Sequence, residues 1–513
     1  MYLSSISAAM HSGIVFTSGA LALHDGEVAF DYCENARRGR GSFRDQPESA
    51  FLLYKSRAGL KAQYAVEESD RGWSCSLWVK LRVGRSARST AALVPEPDPR
   101  YLGKSMLVCD QVFAIGLSCV DLALHQVDRL PLHADDLVQF CGVDFVPGGG
   151  VYHTLESLAS LLRCAADEGN YTVPRLQAVT LVGDDIFGRF YARRVSEDVS
   201  PEASRTVAFT NEANTALAVV PIYRDGSRGC FVDLGANRVL SGERIVQSVA
   251  ELLAGAKLAH SADTKPTVLV HLAYPHLLPM LRGERLEELF RELTIQAGLV
   301  NAAAVFSVDV NGATRDSGSS TDIKKGALES ILHHVDIFHA NYEEACALLD
   351  EQMIVTRETS GADLEAATSS AALVHCVREH GRRLLQRLKD RFFNPASPEK
   401  SGDRLLVVGV TIGREGAWLV AGSRDDLQTF TCTQEQYIPP PSIPDQQRIN
   451  ANGAGDAFVA GLCFAYLRAS RGRESGTQRP QRSPAAWTQF FADNALRAVT
   501  RKLSIKRGNH AIW

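Results

Sequence analysis

Close to the C-terminus, Asn450-Ala451-Asn452-Gly453-Ala454-Gly455-Asp456-Ala457-Phe458 is the stretch that leaves this chain the fewest choices. A proline-rich approach (Pro439 to Pro441, then Pro444) precedes it. Ala457, Phe458, Ala460, Gly461, Phe464, Ala465 and Leu467 follow at the spacing of one apolar helix face. Small residues therefore fall where a loop becomes a helix N-terminus, and backbone there can approach a ligand closely. The unpaired N–H groups of a first turn, with the positive end of the helix dipole, favour a phosphate or a developing anion. Asp456 lies on that same turn, where the dipole also stabilises a carboxylate. An anion cradle beside a carboxylate base suits attack of a hydroxyl on a phosphoryl group. Small residues at a helix start also permit plain tight packing, so the motif does not decide alone. Two other phosphate loops are excluded: Phe458 fills the third glycine position of a dinucleotide fingerprint, and no Gly-x-x-x-x-Gly-Lys-Ser/Thr occurs.

Composition narrows the class. At 513 residues the chain has ample apolar content for a large core, and its formal net charge of -4 argues against a general nucleic-acid surface. No apolar run reaches the roughly 18 residues of a membrane span. The N-terminus lacks a basic region followed by an apolar stretch and a cleavage site, so a cytoplasmic location is expected. Eleven cysteines stand without Cys-x-x-Cys pairs, which reads as reduced thiols.

Gly453-Ala454-Gly455-Asp456 followed by Ala457-Phe458 resembles the C-terminal signature of the ribokinase-like (PfkB) carbohydrate kinases. Other segments resemble that family in the same order. Gly116-Leu-Ser-Cys-Val-Asp121 follows a first strand, and the resemblance gives Asp121 the substrate hydroxyls; a carboxylate accepts two hydroxyl hydrogen bonds at once. Outside that context Asp121 reads as a surface-turn residue. Val138 to Val146 alternates like a strand and runs into Gly148-Gly149, where the family pattern continues with asparagine and alanine. Here His153 and Leu155 stand at those positions, so Gly148, Gly149 and His153 are substrate contacts by resemblance, with an altered donor set. Tyr274, at a strand end, is a further candidate contact. Val182-Gly183-Asp184-Asp185 reads as a turn and helix cap.

Asn341-Tyr342-Glu343-Glu344 follows the strand Val335 to Phe338 and matches the family's Asn-x-x-Glu. The resemblance assigns Asn341 to the nucleotide and Glu344, through water, to the magnesium-bound phosphates; magnesium keeps waters readily. The same four residues also fit a helix cap with an acidic third position. Thr411-Ile412-Gly413-Arg414-Glu415-Gly416 resembles the Thr-x-Gly-x-x-Gly of the nucleotide site, giving Thr411, Gly413 and Gly416 to phosphates and ribose, though it also suits a plain strand–turn–strand. Asn494, in the amphipathic segment 486–503, corresponds to a residue near the adenine. Asn450-Ala451 stands where the family usually has Asp-Thr, an aspartate that helps bind a monovalent cation, so potassium activation is not expected.

The expected architecture is α/β, a ribokinase-like three-layer sandwich with a mostly parallel central sheet and a small β lid. Residues 106–513 form the kinase domain, with lid strands near 130–146 and 205–237 and a helical, charge-rich insertion near 352–402. Residues 1–105 show poor periodicity and end in the linker-like Pro95-Glu96-Pro97-Asp98-Pro99; they are expected to be a poorly ordered or non-homologous extension. The expected activity is phosphotransfer from ATP, with magnesium, to an alcohol group of a sugar or sugar-like molecule. Asp456 is the base, and the Gly453, Ala454 and Gly455 amides, Gly453 and Gly455 also holding the nucleotide, are the anion cradle. Two alternatives stay open on the residues alone: a nucleoside kinase of the same family, and a non-catalytic metabolite-binding regulator derived from it. The partner is a small molecule rather than nucleic acid or membrane, and a homodimer would form through the β lid.

Overall fold

The computed structural model describes the backbone of five strands within residues 20–80. From residue 111 to 504 it describes the chain except 130–135, 168–172, 225–227, 256–265, 311–330, 332–333, 355–369, 393–404, 424–434, 443–451 and 472–483. The stretch in which the sequence shows little periodicity contributes β1 (Ala20–His24), β2 (Glu27–Cys33), β3 (Leu52–Lys55), β4 (Lys61–Ser69) and β5 (Gly72–Lys80). They pair antiparallel in the order β1-β2-β5-β4-β3. Between β4 and β5 the register runs from Lys61 opposite Lys80 to Ser69 opposite Gly72. This sheet lies in one compact unit, Met1–Lys104 with Val127–Phe140 and Ala511–Trp513; the other unit is Ser105–Gln126 with Cys141–His510.

The second unit opens with β6 (Gln111–Gly116), β7 (Cys119–Val127), β8 (Val143–Gly148) and α1 (Gly149–Asp167). Next come β9 (Arg175–Gly183), α2 (Ile186–Asp198), α3 (Pro201–Arg205), β10 (Val207–Thr210), β11 (Leu217–Tyr223), β12 (Phe231–Asp233) and α4 (Gly242–Ala254). The middle of the chain supplies β13 (Thr267–Ala273), α5 (Glu284–Leu299), β14 (Ala303–Asp309), β15 (Ile337–Asn341), α6 (Tyr342–Leu349) and α7 (Ser370–Phe392). It closes with β16 (Leu405–Thr411), β17 (Ala417–Ser423), β18 (Gln436–Ile438), α8 (Ala454–Arg471) and α9 (Pro484–Ser504).

Nine strands form one sheet in the order β10-β9-β6-β13-β14-β15-β16-β17-β18. The pairs from β10 to β16 are parallel, and β16-β17-β18 are antiparallel. Every residue of β13 is buried, which is what a strand covered on both faces requires. One face packs Val151, Leu155 and Leu158 of α1 with Phe458, Phe464 and Phe491 of α8 and α9. The other packs Ile245 of α4, Leu289 and Phe290 of α5, Ala345 of α6 and Leu384 of α7. The architecture is thus helix, sheet, helix, as the alternation of apolar runs implies.

A smaller sheet, β12-β11-β7-β8, stands beside it. Its strands differ from the sequence pattern in two places. The regular strand begins at Val143 rather than Val138, although Cys141 and Gly142 still exchange backbone hydrogen bonds with His125. Gly116 ends β6, so Asp121 lies not at the end of the first main strand but on β7, paired with Val146. The β11–β12 hairpin is present, with Val219 opposite Phe231, while its expected Asp-Gly turn lies outside the described residues. The charge-rich segment near 352–402 contains α7, whose buried Val377, Leu384, Leu385 and Leu388 place it in the main helical layer rather than on the outside of it.

Candidate active site

Residues distant in sequence meet where the parallel strands end at their C-termini, the usual place for a ligand in a sheet of this type. The first group gathers around the start of α8. Asp456, on its first turn, is 2% exposed and accepts a hydrogen bond from the Tyr274 hydroxyl at 2.7 Å. Tyr274 follows β13 in the left-handed conformation (φ 58°), uncommon for an aromatic residue, and its N–H donates to the Asp309 carbonyl at 3.0 Å. Strain of that kind survives where surroundings enforce it, and here it aims a phenol at a carboxyl.

The glycine requirement is steric at two positions. Gly453 has φ +75°, and a Cβ there would stand 2.9 Å from His153 Cγ. Gly148 leaves room for the Asp121 carboxylate, which a Cβ would meet at 2.1 Å. Asp121, Gly148, Gly149, His153 and the 453–456 segment are therefore one cluster. Asn452 joins it: its amide donates to Asp121 Oδ2 at 2.8 Å, and its carbonyl oxygen accepts from Arg228 Nη1 at 2.9 Å. The Cys119 thiol donates to Asp121 Oδ1 at 3.2 Å. Sequence pattern did not single out Asn452, Arg228 or Cys119, because nothing local marks them.

The second group lies at the ends of β14, β15 and β16. Asn341 caps α6, and Glu344 folds back on it: the Glu344 N–H donates to Asn341 Oδ1 at 2.9 Å, while Asn341 N–H and Nδ2 donate to the Glu344 oxygens at 2.7 and 2.6 Å. This is the capping box. Thr411 pairs with Asn341 across the sheet, and its Oγ1 lies 3.2 Å from His339 Nε2. His339 Nδ1 lies 2.8 Å from Asp309 Oδ1, and both residues are buried. Gly413 and Gly416 form the β16–β17 turn, each with positive φ; Gly416 packs on the Ile438 carbonyl, while no atom stands within 4 Å of a Cβ on Gly413. Asn494 bonds inside its own helix, Nδ2 donating to Phe490 O at 2.7 Å, and its carbonyl packs against Gly461. Its described contacts belong to the α8–α9 packing. Asn450 and Ala451 lie outside the described residues. Asp185 caps α2 as its sequence implies, accepting from Gly188 N at 2.8 Å, and also holds the Thr215 N–H beside β11 at 2.7 Å.

Burial sets the protonation chemistry. Asp456 is pushed from the ordinary 3.8 to about 7, first by desolvation and then by the Asp309 charge; the Tyr274 hydrogen bond, Lys502 and His339 act in the opposite sense. Burial lowers the His271 ring to about 4 and raises the Cys463 thiol to about 12. The Cys119 thiol is raised well above its ordinary range by burial and then by Asp121, so it stays neutral. Among the described residues no group of three or more His, Cys, Asp or Glu side chains is placed to hold a metal ion. The Glu344 carboxylate is turned onto Asn341, so direct ligation of a metal ion by it would break the capping box. No described helix is long and apolar enough to cross a membrane.

Comparison with known proteins returned no matching family model and no matching curated protein. Solved structures do match. The ribokinase of Giardia lamblia is 17% identical at a TM-score of 0.50, over 77% of this chain and 93% of that one. The adenosine kinase of Anopheles gambiae, in complex with P1,P4-di(adenosine-5) tetraphosphate, is 17% identical at 0.47, over 77% and 97%. A fructokinase with bound ATP from Xylella fastidiosa is 18% identical at 0.44, over 77% and 93%. The likeness to the Giardia enzyme, with helices on both faces of a largely parallel sheet and a small sheet at its side, concerns the fold. This chain has the fold of the ribokinase-like (PfkB) carbohydrate kinases.

Proposed function

We propose that this protein is a phosphotransferase that moves the γ-phosphoryl group of ATP to an alcohol group of a sugar or sugar-like small molecule. The observation that carries the reading is Asp456: a buried carboxyl on the first turn of a helix, held by Tyr274 and pushed up to about 7. A general base works best when its affinity for protons lies near the working pH. In this reading Asp456 accepts the proton of the attacking hydroxyl, and Tyr274 fixes which carboxyl oxygen faces it. The N–H groups of Gly453, Ala454 and Gly455 stabilise charge on the transferring group at the helix start. Asp121 and Asn452 hold further hydroxyls of the acceptor, with Gly148, Gly149 and His153 forming the wall behind them. Asn341, Thr411, Gly413 and Gly416 face the nucleotide, and Asn494 the adenine side. Glu344 would hold magnesium through water, and the ion would neutralise part of the phosphates' charge. The small sheet supplies Arg228 to Asn452, which supports a role for it in covering the acceptor and excluding water.

Magnesium-ATP turnover against a panel of sugars and nucleosides tests this, beside Asp456→Asn. One panel member should be phosphorylated, and the variant should lose about 10²-fold or more of that rate. Near-normal turnover in Asp456→Asn would remove the base assignment. Saturable metabolite binding with no turnover would replace the enzyme reading with a regulatory one, and a nucleoside acceptor would replace the sugar.

A further inference from the structure

Three neighbouring parallel strands carry polar side chains near their C-terminal ends. Asp309 closes β14, His339 sits opposite it on β15, and Thr411 closes β16. The His339 ring spans the gap, Nδ1 at 2.8 Å from Asp309 Oδ1 and Nε2 at 3.2 Å from Thr411 Oγ1. It is 3% exposed, and Asp309 is 1% exposed. The ring edge lies beneath the first turn of α8: the Phe458 ring centroid is 5.4 Å away, and a Cβ on Gly455 would stand 3.6 Å from His339 Cε1. The other Asp309 oxygen is buried and has no hydrogen-bond partner.

The protonation state of this ring decides what Thr411 can do. With a single proton, on Nδ1 and shared with Asp309, Nε2 is an acceptor. The Thr411 hydroxyl must then donate to it, which turns only lone pairs toward a ligand. With a second proton, Nε2–H donates to Thr411 Oγ1, and the hydroxyl hydrogen is released to donate elsewhere. A phosphate needs the second arrangement. It also needs positive charge, because Asp309 from β14 and Asp456 from α8 both face this region.

The remaining titratable groups around the ring do not supply that charge. His271 on β13 is kept neutral by burial, as is His276 next to Tyr274, and Cys463 on α8 stays a thiol. Lys502 on α9 is ion-paired with Glu156 and acts on Asp456.

We propose that His339 is a positioning residue of the phosphate site, taking up a second proton when a nucleotide phosphate binds and thereby fixing the Thr411 hydroxyl as a donor to it. The inference rests on the reading that Thr411 and the start of α8 face the nucleotide. One proton passes from solvent to His339 Nε2 on binding and returns when the nucleotide leaves. The arriving phosphate brings the negative charge that the added proton offsets, and Asp309 holds the ring so that Nε2 points at Thr411.

The test is calorimetric titration of the full chain with magnesium-ADP in two buffers of different ionisation heat, from pH 7 to pH 8.5. The wild type should take up protons on binding, and its affinity should fall by about tenfold across the range, the scale of a lost charge-assisted hydrogen bond. His339→Gln keeps an uncharged donor for Thr411. It should bind within about threefold of wild type at pH 7.5, with neither proton uptake nor pH dependence. His339→Leu should bind about tenfold more weakly, and Thr411→Val, which keeps the shape of the side chain, should match it and also lose the uptake. Asp456→Asn should retain the uptake. Uptake that persists in His339→Gln and vanishes in Asp456→Asn would overturn the proposal by giving the proton to Asp456. Wild-type binding that is indifferent to pH would overturn it and leave the nucleotide reading intact. Absence of ADP binding at every pH would overturn both.

Discussion

Asp456 serves two opposed demands on a single carboxyl. Burial under the first turn of α8 raises it from 3.8 to about 7, while Tyr274 pulls it back down by donating to the charged form. In its proposed role as base it must be ionised, so turnover should rise through about pH 7 and level off above it. Tyr274→Phe removes the donor, so the midpoint of that rise should move to higher pH with a smaller change in the plateau. A pH–rate profile of kcat checks this, and an unmoved midpoint would dissociate the phenol from the base. The same shift affects stability. A carboxyl raised in the folded state contributes stability below its unfolded value near 4, and that contribution is lost as pH rises to about 7. The melting temperature of the wild type should therefore fall relative to Asp456→Asn between about pH 4 and pH 7. Above pH 7 Asp456→Asn should be the more stable protein by a constant margin, the relation expected between a strained functional group and the fold that holds it.

At the scale of elements, the fate of α7 separates what a sequence displays from what it leaves hidden. Its charge density marks the segment near 352–402 as an addition, yet Leu384 is 0% exposed within the cluster that also holds Phe338 and Val408. Leu384→Ala should therefore cost about 2–5 kcal/mol in denaturant unfolding, the range for emptying a core leucine site. A helix lying outside the core would tolerate the change within about 0.5 kcal/mol. The ambiguity has a physical origin. A helix covering a sheet edge buries only one stripe, and the rest of its surface is free to carry arginine and glutamate. Fully buried strands have no such freedom, which is why the apolar runs at Thr267–Ala273 and Leu405–Thr411 declare themselves from residue type alone. Short strands of a one-sided sheet lie between these cases. Their alternation shows where Val143–Gly148 ends but not where it begins. Asn341 and Glu344 mark a limit of another kind. Their spacing fits both a phosphate contact and a capping box, and the structure shows the box in place with both carboxylate oxygens accepting from Asn341.

For the molecule as a whole, the candidate site was readable to the extent that it is written in backbone requirements. Gly453 and Gly148 are dictated by one chain passing close to another atom, so they stand out as glycines beside a helix start. The partners of those positions are not marked locally. Asn452 and Asp121 are 331 positions apart, and Tyr274 and Asp456 are 182 apart, so only the closing of the sheet brings them together. His339 and Asp309 escaped notice for the same reason, each being an ordinary residue at a strand end. Both apolar clusters on the nine-stranded sheet draw on residues between Val112 and Ala498, and every residue of the proposed site lies between Asp121 and Asn494. Among the described residues, the members of both apolar clusters and of the proposed site all come after residue 111. A chain beginning at Met106 should therefore unfold in one cooperative thermal transition, and magnesium-ADP should raise its midpoint by as much as it raises that of the full chain. Equal shifts in scanning calorimetry would separate the five-stranded N-terminal sheet from nucleotide binding. A shorter chain that folds but has lost the shift would instead make residues before Met106 part of the site, and one that fails to fold would make them part of the core.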